Sequence, residues 1–370
     1  MKLALVGCGA IAEIGYLPAL PFARGVQAVL LVDHDLTRAK AMAERFGVPQ
    51  SSADVADVAK FADTACVALP HDLHEPIGRQ LLESGVHLLM EKPLSVTTAD
   101  CDSLISAARK SDRILSVAML RRYCPGNLLA QSLLASGSLG RVHSFHLENG
   151  NSGIWPARSA HILNRHGSGG GVLMDNGSHD VDLITWLFGP VADMRCHTDA
   201  VSGLESNFTL ELTMASGITG FAELSRMRTL RNSLIINGER AVAEIPLVGD
   251  TARITFAGSP AMAINGCANG GGAASRSGHF FVDIMAAQME NMAGAIARRH
   301  PPTVDGEAAR ATIEFITRCY AAAVPMDLAW RRPIAFPRQA GRSISVLKSG
   351  GTEHRHPRLC PDPFEPRDDA

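Results

Sequence analysis

Leu3-Ala4-Leu5-Val6-Gly7-Cys8-Gly9-Ala10-Ile11-Ala12 is the stretch that decides the fold. Leu3 to Val6 reads as a short buried strand, Gly7 to Gly9 as a tight turn, and Ala10 to Phe22 as a helix. Each small residue of this GxGxxA pattern has a physical task. The first glycine permits the turn and the second lets the backbone approach a pyrophosphate. Ala12 lets helix and strand pack closely, and the helix N-terminus faces negative charge. The pattern alone is common, but its context is specific. The next apolar run, Ala28 to Val32, ends on Asp33, where a carboxylate hydrogen-bonds the adenosine ribose hydroxyls of a dinucleotide. The expected cofactor-binding residues are therefore Gly7, Gly9, Ala10, Ile11, Ala12 and Asp33, with His34 and Arg38 beside them. A carboxylate at position 33 repels a 2′-phosphate, so NAD is expected in preference to NADP. Arg38 is expected to lie on a solvated helix face.

Working outward, strands and helices alternate. Leu36 to Phe46 reads as a helix stopped by Gly47, Thr64 to Leu69 as a strand, Glu75 to Ser84 as a helix stopped by Gly85, and Val86 to Met90 as a strand. Thr98 to Lys110 is a helix and Ile114 to Ala118 a strand. This alternation predicts a doubly wound parallel sheet, an N-terminal Rossmann domain over residues 1–120. From Tyr123 onward the pattern becomes strands joined by short turns: 142–149, 206–215, 218–225, 233–237 and 241–246, with hairpin turns at Ser216-Gly217 and Asn237-Gly238. Helices are expected over 175–188, 281–299 and 307–323. Residues 121–338 thus read as an α+β domain with a largely antiparallel open sheet, and 339–370 as an extended tail. The Gly-rich stretch 265–278 reads as a loop.

The 370-residue length fits about two domains. With 35 basic and 37 acidic residues the net charge is −2, which gives no basis for a nucleic-acid or anionic-membrane partner. No apolar run reaches the roughly 18–20 residues of a membrane span. The amino terminus is broken by Gly7 and Gly9 and reads as a strand and turn, not a targeting segment. The eight cysteines are scattered without a CxxC pair, as expected of reduced thiols in a cytoplasmic protein.

Two further constellations carry chemistry. Glu91-Lys92-Pro93 ends a strand of the first sheet, and ligands of such sheets bind beyond the carboxyl ends of the strands. Pro70 and His74, past the preceding strand, are candidate walls of the cofactor cleft or plain loop residues. The second constellation is Gly169-Gly170-Gly171 followed by Asp175, His179, Asp180 and Asp182. Asp175 and His179 share a face if the helix begins at 175. A histidine held by neighbouring carboxylates would accept a proton near neutral pH. Asp175 could instead cap the helix and His179 fill a core position. A metal site is the weaker alternative, and none is expected.

These motifs resemble the glucose-fructose oxidoreductase / inositol dehydrogenase / MocA (Gfo/Idh/MocA) family of nicotinamide-dependent oxidoreductases. The similar segments are GCGAIA at 7–12, YLPAL at 16–20, VDHDLTRA at 32–39, EKPLS at 91–95, RRYCP at 121–125 and GGGVLMDNGSHDVDLITWLFG at 169–189. AAQMENMAGAI at 286–296 is a weaker match, and the resemblance spans roughly residues 1–335. It implies that Lys92 is the catalytic-site lysine, that its bond to Pro93 is often cis, and that His179 serves as acid/base with Asp175 in support. It places Lys92, Arg122, Tyr123, Asp175 and His179 near substrate, adds Glu91 and Lys92 to the cofactor side, and makes Trp155, Arg158 and His161 candidate substrate contacts. The implied reaction is hydride transfer between NAD and a secondary alcohol or ketone of a sugar, cyclitol or derivative. Two alternatives are an NAD-recycling elimination, glycoside cleavage or epimerisation, and a non-catalytic dinucleotide-binding regulator. A homodimer or homotetramer through the second sheet is implied as well. The family commonly carries histidine where Tyr16 stands, and the Gly-rich stretch and tail are departures from it.

Overall fold

The computed structural model describes residues 1–152, 164–201, 203–265 and 275–327. The candidate residues Trp155, Arg158 and His161, most of the Gly-rich stretch and the tail lie outside the described residues. Residues 1–327 form one compact unit.

The first sheet contains β1 (Lys2–Val6), β2 (Gln27–Val32), β3 (Gln50–Ser52), β4 (Thr64–Val67), β5 (His87–Met90) and β6 (Leu115–Val117), in the order β3-β2-β1-β4-β5-β6. Every pairing is parallel. Apart from the polar edge strand β3, Gln50-Ser51-Ser52, the strands are largely apolar, as in sheets covered by helices on both faces. Strand order reverses between β1 and β4, which opens a crevice at their carboxyl ends. The helix Leu36–Phe46 begins with Asp35 accepting from the Arg38 N–H at 3.1 Å and stops at Gly47, whose φ of 69° is left-handed. Thr98–Lys110 forms as the sequence predicts, capped by Thr97.

The stretch after the first turn differs from the uniform helix expected over 10–22. It contains a π-turn at Ala12–Tyr16, an α-turn at Leu17–Ala19 and a 3₁₀ turn at Leu20–Phe22. Pro18 and Pro21 lack the N–H that would bond back along a regular α-helix.

The second sheet contains β7 (Val142–Gly150), β8 (Val191–Thr198), β9 (Asn207–Met214), β10 (Thr219–Ser225), β11 (Ser233–Gly238), β12 (Ala241–Pro246), β13 (Thr251–Phe256), β14 (Met262–Asn265) and β15 (Ala323–Pro325). Its order is β14-β13-β12-β11-β7-β10-β9-β8-β15. It is mixed: β7 with β10 and β8 with β15 are parallel, the remaining pairs antiparallel. The β11–β12 turn falls on Glu239-Arg240, not on Asn237-Gly238. Asn237 still pairs with Val242, and its amide donates to Ser144 Oγ on β7, which keeps it in the sheet.

Alternate residues of β9 and β10, such as Phe208, Leu210, Leu212, Ala222 and Leu224, face a buried layer that includes the helix Asn176–Phe188. The helix Phe280–Arg298 packs Met285, Met289 and Met292 into one core with Leu3, Leu5, Tyr16 and Leu17. Gly306–Ala322 lies against both Thr98–Lys110 and Asn176–Phe188. The late helices therefore tie the second sheet's half of the chain to the first. Among the described residues no helix is long and apolar enough to cross a membrane.

Candidate active site

At the mouth of β1, Gly7 has φ +101°, and a Cβ there would stand 2.3 Å from the Ala68 carbonyl oxygen. Only glycine allows β1 and β4 to come this close. A Cβ at Gly9 would meet nothing within 4 Å, so the ground before that peptide is open. Asp33 is buried at the end of β2, where Cys8 N–H donates to Oδ2 and Asp35 N–H to Oδ1, both at 2.9 Å. Each carboxylate oxygen has a further lone pair for a hydroxyl donor. An open glycine turn, a helix N-terminus and a fixed carboxylate fit a dinucleotide. Arg38 is not on a merely solvated face as expected: its Nη1 lies 3.7 Å from Asp33 Oδ2 and its Nη2 3.4 Å from Asp35. The His34 side chain is exposed, with Nδ1 3.2 Å from Asp33.

His74 departs from its expected place as a cleft wall. It is fully buried, with its two ring nitrogens 2.8 Å from the Pro93 carbonyl and 3.0 Å from the Leu69 carbonyl, and a neutral ring donates to one of them. It braces the Glu91-Lys92-Pro93 turn from behind. Burial drives its pKa down. Neighbouring His71 bonds the Ser168 carbonyl at 3.1 Å, and burial pushes its pKa down to about 3. Pro70 begins the same turn.

The Lys92–Pro93 peptide is cis. Glu91 accepts the Tyr16 hydroxyl at 2.6 Å on one oxygen and the Lys92 N–H at 3.0 Å on the other, and burial raises its pKa. Glu91 thus holds the turn. Lys92 Nζ donates to Asp175 Oδ1 at 2.7 Å and to the Asp175 carbonyl at 3.0 Å. The tip of the first sheet and the start of the Asn176–Phe188 helix meet at this contact.

Asp175 occupies the N-cap position, but its side chain does not cap the helix. Its second oxygen accepts Arg226 Nη2 at 2.6 Å. Burial would raise its pKa, but the charges of Lys92 and Arg226 outweigh that and hold the carboxyl well below the ordinary carboxylate range. Arg226, one residue past β10, is a site residue that local sequence reading missed. No motif marks it, since it reaches Asp175 across 51 residues of chain.

His179 is not held by carboxylates as expected. Its Nδ1 is buried without a hydrogen-bond partner among the described residues. Burial first, then the charges of Lys92 and Arg121, hold its pKa well below the usual value, against Asp175. The imidazole is neutral at neutral pH. The other two carboxylates of the helix are committed elsewhere. Asp180 pairs with Arg121 and accepts from Asn149, and Asp182 receives Arg122 Nε at 2.9 Å and Nη2 at 2.7 Å. Arg122 also lies over the Trp186 ring, and Tyr123 donates to Asn291 Oδ1 at 3.2 Å. Arg122 and Tyr123, expected at the substrate, are thus occupied by structural partners. An arginine and a carboxylate desolvated together bond each other because either alone would be a buried, unpaired charge.

A parallel doubly wound sheet with a glycine turn and a ribose-type carboxylate, joined to a lysine–carboxylate–histidine cluster, defines a dinucleotide-binding oxidoreductase architecture. A family model described as "Oxidoreductase family, NAD-binding Rossmann fold" matches residues 1–119, and a "GFO/IDH/MocA C-terminal domain" model matches residues 128–244. The chain belongs to the Gfo/Idh/MocA oxidoreductase family. It is 29% identical over 224 residues to a 1-carboxy-3-chloro-3,4-dihydroxycyclohexa-1,5-diene dehydrogenase of Comamonas testosteroni, covering 59% of this chain and 56% of that protein. It is 28% identical over 248 residues to a trans-1,2-dihydrobenzene-1,2-diol dehydrogenase of Oryctolagus cuniculus, covering 65% and 74%. The alignment to the first relative spans little more than half that protein's length. The solved aldose-aldose oxidoreductase of Caulobacter crescentus, crystallised with glycerol, superposes with a TM-score of 0.78 at 23% identity, over 87% of this chain and 97% of that one. At that identity the likeness speaks for the fold.

Proposed function

We propose that the protein is an NAD-dependent dehydrogenase or reductase. Its proposed substrate is a secondary alcohol or ketone of a sugar, cyclitol or related cyclic diol. The observation that carries this reading is the 2.7 Å contact between Lys92 Nζ and Asp175, beside a neutral His179. The relatives named above are dehydrogenases of cyclic diols or oxidoreductases of aldoses, which supports the substrate class.

Gly7, Gly9, Ala10, Ile11 and Ala12 hold the pyrophosphate, and Asp33 holds the adenosine ribose. Glu91 keeps Lys92 at the cofactor side. The nicotinamide, when bound, supplies or takes up the hydride. Lys92, oriented by Asp175, hydrogen-bonds the substrate oxygen and stabilises the negative charge that develops on it. His179 accepts the hydroxyl proton in oxidation and returns it in reduction, which its neutral ring permits. Asp175 stays ionised and orients Lys92. Asp33 favours NAD. We further propose a homodimer or homotetramer through the outer face of the second sheet, where Phe221, Ile235 and Val242 point away from the core.

A panel of sugars, cyclitols and cyclic diols tested with both cofactors checks the activity. NADH absorbance should grow in proportion to product with at least one of them. Binding of NAD with no turnover across the panel would remove the reading. Light scattering checks the assembly: a monomer at micromolar concentration would remove that part.

A further inference from the structure

Asp175 can serve Lys92 only if the Gly169–Met174 loop delivers it to one place, and that loop has no regular secondary structure of its own. Glu205 fills its concave side. The carboxylate accepts Gly171 N–H on both oxygens at 2.9 and 3.0 Å, Leu173 N–H at 3.1 Å and the Tyr320 hydroxyl at 2.7 Å. The Glu205 carbonyl accepts Val172 N–H at 3.0 Å. Tyr320, near the end of the Gly306–Ala322 helix, accepts Met174 N–H at 3.2 Å with the same hydroxyl. Four successive backbone amides, 171 to 174, are thus bound by two residues from elsewhere in the chain.

The glycines make room for this cradle. A Cβ at Gly170 would stand 2.1 Å from the Tyr320 hydroxyl oxygen, and one at Gly171 would stand 2.1 Å from the Glu205 carbonyl oxygen. Beyond the cradle, Asp175 N–H donates to Gly171 O at 3.1 Å and Gly177 N–H to Val172 O at 2.8 Å. The helix start is thereby stabilised by the loop, and the Asp175 side chain is left for Lys92 and Arg226. Glu205 is buried, and Gly171, Leu173 and Tyr320 all donate to its carboxylate, so its acceptor oxygens are satisfied inside the fold.

The geometry points to Glu205 and Tyr320 as positioning residues that set Asp175, and through it the orientation of Lys92. This rests on the proposed role of Lys92 and Asp175, and its test can be read without a substrate. The Lys92 nitrogen is held by two hydrogen bonds to Asp175, and it must leave them before it can attack an ester. Acylation of Lys92 by a water-soluble activated ester, followed by peptide mass spectrometry, therefore reports how firmly Asp175 holds it. Tyr320→Phe is the main variant. Its ring keeps the edge contact with Phe208, with centroids 5.9 Å apart, so the change is confined to the hydroxyl. Glu205→Gln is the second.

Tyr320→Phe and Asp175→Asn should each speed Lys92 labelling by about threefold or more while exposed Lys60 keeps its rate. The double variant should label no faster than Asp175→Asn alone, because Tyr320 acts only through Asp175. On an active substrate, Tyr320→Phe should lower kcat by about tenfold with an unchanged NAD dissociation constant. Wild-type labelling in Tyr320→Phe, or effects that add in the double variant, would overturn the assignment. If Glu205→Gln does not fold, Tyr320→Phe alone decides. If no substrate is turned over but the labelling pattern appears, the positioning stands and the enzymatic reading falls.

Discussion

Asp33 and Asp175 stand at the two ends of the candidate site and are held in opposite ways. Asp33 is fixed by backbone: the Cys8 and Asp35 amides, within a stretch of 28 residues, take one oxygen each. Asp175 is fixed by charge: Lys92 and Arg226 approach from 83 and 51 residues away. A carboxylate held by nearby amides stays in place whatever else the chain does, and suits a binding role. A carboxylate held by two cations takes part in the site's electrostatics, so a change in either partner changes the chemistry.

The largest test of this contrast is Lys92→Met. It should lower turnover by about 10²–10⁴-fold while the NAD dissociation constant stays within about twofold, measured by steady-state kinetics and fluorescence titration. Equal losses in both would place Lys92 on the binding side with Asp33. Asp175→Asn comes next, with an expected loss of about 10²-fold in kcat from an unanchored Lys92 and Arg226. The same variant bears on acid stability. The folded-state pKa of Asp175 lies below its unfolded value. Its stabilising contribution is therefore complete above the ordinary carboxylate range and is lost as pH falls toward the depressed value. Thermal melts should show wild type losing stability faster than Asp175→Asn below about pH 4.

Asp33→Ala should act on the other end only, weakening NAD by about tenfold with kcat at saturation nearly unchanged. A milder effect follows from His71, His74 and His179, whose folded-state pKa values are all depressed by burial. The unfolded chain takes up their protons first as pH drops through about 6.5, so stability falls from there downward. Melting temperatures at pH 7 and pH 5 should differ in that direction, and a flat profile would contradict their neutral burial. The smallest effect is Arg38→Ala, with at most about a twofold change in NAD affinity because the Asp33 amide bonds remain.

The nucleotide end was legible because its parts are neighbours in sequence. A strand, two glycines, a helix and a carboxylate after the next strand have few other uses in that order. Lys92 and Asp175 were legible as motifs, but their 2.7 Å contact was not. Arg122 and Tyr123 were read as substrate residues because they follow a family pattern. Whether an arginine is free or paired depends on a helix 60 residues away, and Asp182 claims this one. His179 was read as carboxylate-supported from helical spacing, whereas each candidate carboxylate had a stronger cationic partner. The hairpin turn expected at 237–238 falls two residues later, at 239–240, because Asn237 pairs with Val242 and its side-chain bond across the sheet outweighs local turn preference.

The sequence by itself determined the alternating first sheet and the dinucleotide turn, which depend on periodicity and on contacts within a few dozen residues, and its resemblance to a family offered Lys92, Asp175 and His179 as candidates. Tertiary structure decided which charges meet. Arg226, Glu205 and Tyr320 come to Asp175 and its loop from three separate elements, and no local pattern announces them. Burial then fixed their states, because a desolvated charge must find its partner wherever the fold has placed it.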